Sequence, residues 1–130
     1  MRLLLDTHFL LWATIDPEAI RARERALIAD SETFVSPISL WELRLKWQRR
    51  RPSGERKGIL DPDLAFAYIA SSALELAVLT GVDCATQLRP EIDHGDPFDE
   101  QLLIHAQQLD AKLLTRDRML LRHPLAYRFT

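Results

Sequence analysis

Apolar residues in this chain fall into short unbroken runs that alternate with longer stretches at helical spacing. Leu3-Leu4-Leu5 is such a run, the pattern of a strand buried on both faces. Phe9-Leu10-Leu11-Trp12 continues apolar and predicts a helical turn packed on that strand. Asp16-Pro17-Glu18 combines a capping acid, a proline at the first helical position and a first-turn acid. It predicts a helix to about Asp30, with Ile20, Leu27 and Ile28 inward and arginines outward. Thr33-Phe34-Val35 is β-branched and aromatic, and reads as a second strand. Ser36-Pro37 repeats the cap-plus-proline signature, predicting a helix to about Arg51 with Ile38, Leu40, Trp41 and Leu45 inward.

Asp61-Pro62 caps a further helix to about Ser72, with Leu64, Ala65, Tyr68 and Ile69 as its apolar stripe. Residues 74–79 read as a strand, 80–88 as a short helix stopped by Pro90, and 91–95 as a loop. Asp96-Pro97-Phe98-Asp99 opens the last long helix, whose core face is Leu102, Leu103, Ala106 and Leu109. Residues 112–115 form a short strand, 118–121 a brief turn that Asp117 caps, and 125–129 an edge strand. Strands alternating with helices imply βαβ units. The expectation is one domain over residues 1–130, α/β in class, with a short, mainly parallel sheet in three α/β/α layers.

Composition narrows the function classes. The chain has 130 residues, enough for one domain and a real core. Apolar residues make up 47% and charged residues 28%, the balance of a soluble globular protein. Seventeen basic and 19 acidic residues leave a net charge of −2, so bulk charge gives no support to nucleic-acid binding. Cys84 is the only cysteine, which excludes an intramolecular disulfide or a Cys-based zinc site and fits a reducing compartment. No run is long enough to span a membrane, and no cleavage site follows the first segment. The expected location is cytoplasmic. Locally, Arg44, Lys46, Arg49, Arg50, Arg51, Arg56 and Lys57 cluster around the end of the second helix. They are either a solvated helix end, where cations suit the macrodipole, or a phosphate-backbone contact.

The candidate chemistry lies in the acids. A Gly-rich phosphate loop is missing, His8, His94, His105 and His123 are scattered, and Trp12, Trp41 and Trp47 are expected in the core. Asp6, Glu42, Asp96 or Asp99, and Asp117 each stand at the end of a predicted strand or near the start of a helix. Each has a bland reading: Asp6 as a turn former, Glu42 in a capping box with Ser39, Asp96 and Asp99 as cap and first-turn acids, Asp117 as a turn cap. In open parallel sheets, however, ligand chemistry collects beyond the carboxyl ends of the strands. Carboxylates converging there tolerate one another only if protonated or bound to a cation. An all-oxygen site suits Mg²⁺ or Mn²⁺ and metal-assisted phosphoryl chemistry.

Four motifs in order carry a resemblance. Leu3-Leu4-Leu5-Asp6-Thr7-His8 with Leu11-Trp12, Ser39-Leu40-Trp41-Glu42-Leu43, His94-Gly95-Asp96-Pro97-Phe98-Asp99 with Leu102-Leu103-Ile104, and Leu114-Thr115-Arg116-Asp117 resemble the successive motifs of PIN-domain proteins. In detail they are similar to the VapC toxins of bacterial type II toxin–antitoxin pairs. The resemblance implies an Mg²⁺-dependent (or Mn²⁺-dependent) endoribonuclease with Asp6, Glu42, Asp99 and Asp117 as catalytic and metal-holding acids. Thr7 and Thr115 match polar positions beside the acids, and Asp96 takes a supporting or capping role. His105 departs from the small residues frequent at its position. The resemblance also implies an RNA substrate, a cognate antitoxin protein and a homodimer. Arg49, Arg50 and Arg51 are the candidate RNA contacts. Two alternatives remain: a non-catalytic PIN-like RNA-binding or protein-interaction module, and a phosphatase or sugar-phosphate enzyme, which the missing Asp-x-Asp nucleophile motif disfavours.

Overall fold

Neighbouring residues of the first strand enter different cores. In the computed structural model, which describes residues 1–93 and 95–130, β1 (Arg2–Leu5) lies inside a four-stranded sheet. The other strands are β2 (Glu32–Val35), β3 (Glu75–Leu76) and β4 (Lys112–Leu114), in the order β3-β2-β1-β4. All pairings are parallel, with Leu4 opposite both Phe34 and Leu113. Side chains alternate across a strand. Leu3 and Leu5 therefore join one core with Val35 and Leu114, whereas Leu4 joins the other with Phe34 and Leu113.

Parallel strands need crossover connections, and helices supply them here. Between β1 and β2 run α1 (Thr7–Ile15) and α2 (Ala22–Asp30); between β2 and β3, α3 (Pro37–Gln48) and α4 (Pro62–Ser71). Between β3 and β4 run α5 (Gly81–Ala85) and α6 (Pro97–Leu109). Phe9, Leu10, Leu43, Ala65 and Ile69 cover the Leu3 face, and Leu102, Leu103 and Ala106 cover the Leu4 face. The three layers expected from the sequence are thus present. None of the described helices is long and apolar enough to cross a membrane.

Several expectations need correction. The helix from Pro17 is broken: Pro17–Ala19 is a single 3₁₀ turn, and α2 begins only after Ile20 and Arg21 turn extended. Asp16 makes no side-chain cap; Glu24 instead accepts from the Arg21 N–H at 2.8 Å. α3 stops at Gln48 rather than Arg51, because residues 49–57 fold back as a tight hairpin. Lys57 N–H donates to Arg49 O at 2.9 Å and Arg51 N–H to Glu55 O at 2.7 Å. Gly54 (φ 90°) makes the turn. Trp41, expected in the core, is 49% exposed, and Leu64 is 58% exposed; Glu42 and Leu43 are the buried residues of that turn of α3. Only Glu75–Leu76 of the 74–79 stretch is strand. The 125–129 segment makes one bridge, Ala126 beside Leu113, rather than an edge strand. His105 is fully buried on α6. Its Nε2 lies 3.1 Å from Val78 O, which only accepts, so that nitrogen carries a proton; Nδ1 faces Ser36 Oγ at 2.7 Å. The ring fills the position with its polar atoms satisfied.

Candidate active site

β1 ends at Leu5, and Asp6 is both the first residue beyond it and the N-cap of α1. The strand is rigid and central, so Asp6 is held at the carboxyl edge of the sheet, 5% exposed. One carboxylate oxygen accepts from Thr7 N–H at 2.7 Å and the other from the Thr115 hydroxyl at 2.7 Å. Thr115 follows β4, the neighbouring strand, and its Oγ1 in turn accepts from Asp117 N–H at 3.1 Å. Asp117 is exposed and caps the next turn, accepting from Met119 N–H at 2.8 Å.

Glu42 reaches the same place from the other side. Ser36 caps α3, accepting from Ile38 N–H at 3.1 Å. Glu42 therefore lies one and a half turns in, on a helix that leaves the end of β2, and it is buried. The capping-box reading with Ser39 does not hold. Thr7 Oγ1 is 2.7 Å from Glu42 Oε1 and 2.9 Å from Ser39 Oγ. A hydroxyl has one proton and a carboxylate only accepts, so Thr7 donates to Glu42 and accepts from Ser39. Lys46, one turn on, sets its ammonium 2.9 Å from the other Glu42 oxygen.

These contacts set the electrostatics. Burial pushes the Asp6 carboxyl above its ordinary value of 3.8 and the nearby Glu42 charge adds to the rise, against the pull of Thr115, His8 and the Thr7 N–H. Hydroxyls hold both buried carboxylates, Thr115 donating to Asp6 and Thr7 to Glu42. Asp96 caps α6, accepting from Phe98 N–H at 2.9 Å and Asp99 N–H at 3.4 Å. Asp99 follows in the first turn, half-buried. His94, the first residue of that motif, lies outside the described residues. Among the described residues, no three His, Cys, Asp or Glu side chains stand close enough together to hold a metal ion. Asp6 is instead linked to Glu42 through Thr7 and to the Asp117 backbone through Thr115. The donors are nonetheless hard oxygens, with Asp6 ionisation opposed by burial and by Glu42, which is the chemistry a divalent cation such as Mg²⁺ or Mn²⁺ would offset.

The basic cluster divides. Lys46, Arg49 and Lys57 line a cavity of about 420 Å³ with His8 and Trp12, beside Glu42. Arg50 lies out in the hairpin, where its guanidinium donates to Gly54 O at 2.9 Å. Arg51 holds the same turn through its backbone. Four participants, Ser39, Lys46, Glu24 and Arg116, were not among the candidate site residues. Ser39 and Lys46 carried a signal, being three residues before and four after Glu42 on one helix face. Glu24 and Arg116 carried none. They lie 92 residues apart and pair through two contacts of 2.9 and 2.6 Å, with Arg116 also donating to Ala19 O. The guanidinium of Arg116 stacks over Trp12, 4.2 Å from the ring centroid.

No curated protein matches the chain. Among solved structures it is similar to a chain of VapBC2 from Rickettsia felis, crystallised bound to a DNA fragment from its promoter. The TM-score is 0.66 at 18% identity, over 97% of this chain and 96% of that one, a likeness of fold. The sequence profile of the PIN domain matches residues 3–124, a span that runs from β1 past β4 and takes in Asp6, Glu42, Asp99 and Asp117. The chain belongs to the PIN-domain family.

Proposed function

We propose that the protein is an Mg²⁺-dependent endoribonuclease, the toxin of a type II toxin–antitoxin pair. The observation that carries this reading is the pair of buried carboxylates, Asp6 and Glu42, fixed by Thr7 and Thr115 at the carboxyl edge of a parallel sheet. Family membership supports it, since PIN domains are generally nucleases and typically use divalent metals. Asp6, Glu42, Asp99 and Asp117 would hold Mg²⁺, or Mn²⁺ in its place. A bound ion supplies Lewis acidity and lowers the pKa of its water, so that hydrolysis of a phosphodiester proceeds near neutral pH. The chain's own part is positional. Thr115 and the Thr7 N–H fix both Asp6 oxygens, and the Thr7 hydroxyl and Lys46 fix one oxygen each of Glu42. Lys46 adds a positive charge beside the acids, which otherwise repel RNA.

The likeness to a VapBC complex supports a cognate antitoxin as partner, and we place the action in the cytoplasm, where its RNA is. We also read the chain as a homodimer. Trp41 is 49% exposed and packs edge-on against Phe98, ring centroids 5.1 Å apart. Exposed Val82 lies on α5, which packs beside α6. Exposed apolar side chains on the neighbouring helices α3 and α5 suit an association face.

One observation favours the competing reading, a non-catalytic RNA-binding or interaction module: no three acids gather among the described residues. Incubation of the purified protein with labelled single-stranded RNA separates the two. Cleavage in Mg²⁺ that stops in EDTA supports the nuclease; binding without cleavage in either Mg²⁺ or Mn²⁺ supports the module.

A further inference from the structure

Thr115, which holds Asp6, is also a wall of a hollow of about 540 Å³ on the β4 side of the acids. Its other walls include Arg21 and Arg23 at the start of α2, Arg118 after β4, and the C-terminal Tyr127-Arg128-Phe129. Arg116 and Glu24 line it too, but they neutralise each other in a bidentate pair. Four guanidinium groups therefore remain, those of Arg21, Arg23, Arg118 and Arg128; Arg128 donates to Leu121 O, and none of the four forms an ion pair among the described residues. All four are exposed. The chain as a whole carries −2, so this concentration of positive charge runs against its overall sign.

The hollow is aromatic as well. Tyr127 and Phe129 pack edge-to-face with centroids 4.9 Å apart, and the Arg23 guanidinium sits 4.5 Å over the Phe129 ring. Cations that track a phosphate backbone, beside half-buried rings on which bases can stack, are the elements of a single-strand platform. An acidic peptide would use the cations and leave the rings without a role. Thr115 joins the hollow directly to Asp6.

We propose that this hollow binds the single-stranded RNA flanking the cleaved phosphodiester, with Arg23, Arg118 and Arg128 on phosphates and Tyr127 and Phe129 against a base. The inference rests on the ribonuclease reading for its substrate, but its test does not.

The test is anisotropy of a labelled single-stranded RNA over a range of salt, with every protein carrying Asp6→Asn so that nothing is cut. Combined Arg23→Ala, Arg118→Ala and Arg128→Ala should weaken binding at least tenfold at low salt. It should also make the slope of log affinity against log salt shallower by about 0.7 per lost contact, about 2 for three. If the triple variant melts early, Arg118→Ala alone is read instead; its expected slope change is about 0.7. An unchanged slope overturns the proposal. So does unchanged RNA binding with lost binding of an oligoglutamate peptide, which would assign the hollow to an acidic protein segment. Cleavage by the unsubstituted protein is scored separately. A flattened slope without cleavage keeps the platform and loses the nuclease, and cleavage with an unchanged slope does the reverse.

Discussion

The Thr7 hydroxyl donates a 2.7 Å hydrogen bond to Glu42 Oε1, tying the exit of β1 to the second turn of α3. Thr7→Val keeps the shape and removes the donor, leaving a buried carboxylate one partner short. A hydrogen bond to a charged group contributes about 1.5–3 kcal/mol, so cleavage should fall by roughly ten- to a hundredfold. Thr7→Ser should retain most of it. Single-turnover cleavage rates beside melting curves check this. Equal rates for the Val and Ser variants would mean that Glu42 does not need Thr7.

Asp6 makes stability depend on pH in a definite direction. Its carboxyl is raised above 3.8, chiefly by burial, so the folded protein binds this proton more tightly than the unfolded chain. Its contribution to stability is greatest below pH 3.8 and is lost as pH rises through the folded value. Asp6→Asn should therefore melt higher than the unsubstituted protein at pH 7 without metal, with the gap closing as pH falls toward 4. Millimolar Mn²⁺ should raise the melting temperature of the unsubstituted protein more than that of Asp6→Asn, by mass action. A metal-independent melting temperature together with activity in EDTA would remove the ion from the site.

Glu24 behaves oppositely. Burial alone would push it up, but hydrogen bonds from Arg116 and the Arg21 N–H hold it below its ordinary 4.5. That contribution is present above pH 4.5 and is lost as pH falls through the lowered value. Glu24→Gln should destabilise by about 2–3 kcal/mol near neutrality, less than a fully buried pair would cost because Arg116 keeps 27% of its side-chain surface. Denaturant melts at pH 7 and pH 4 should show the difference between the two proteins narrowing at the lower pH.

Much of this was legible in residue order, and the misses have physical causes. Leu3-Leu4-Leu5 followed by Asp6 pointed to a doubly covered strand with an acid at its end, and Ser36-Pro37 placed Glu42 on the helix leaving the next one. Trp41 was misplaced because helical periodicity marks an apolar face without saying whether the fold covers it. The break at Ile20 was hidden because Asp16-Pro17 is a sound helix start. What overrides it is Glu24, which caps Arg21 N–H and binds Arg116, a partner 92 residues away. Arg49, Arg50 and Arg51 looked like one cluster, yet of the three only Arg49 lines the cavity, and Arg50 and Arg51 bond within the Gly54 hairpin.

That division can be measured. Arg49→Ala should weaken RNA binding and make the salt slope shallower by about 0.7. Adding Arg50→Ala and Arg51→Ala should change it less than in proportion. Anisotropy at several salt concentrations reads both; an unchanged slope for all three would make the segment a solvated helix end.

The acids are the centre of the proposed chemistry, and cleavage of one labelled RNA in Mg²⁺ tests them most directly, with the unsubstituted protein, Asp6→Asn and Asp99→Asn side by side. Both substitutions keep side-chain shape, and Asn retains much of the capping ability of Asp, so both proteins should be folded and soluble. The unsubstituted protein should cut, and each variant should cut slower by about two orders of magnitude or more, the scale of losing a key electrostatic group. Near-normal cleavage by folded Asp6→Asn would contradict a carboxylate site at the end of β1.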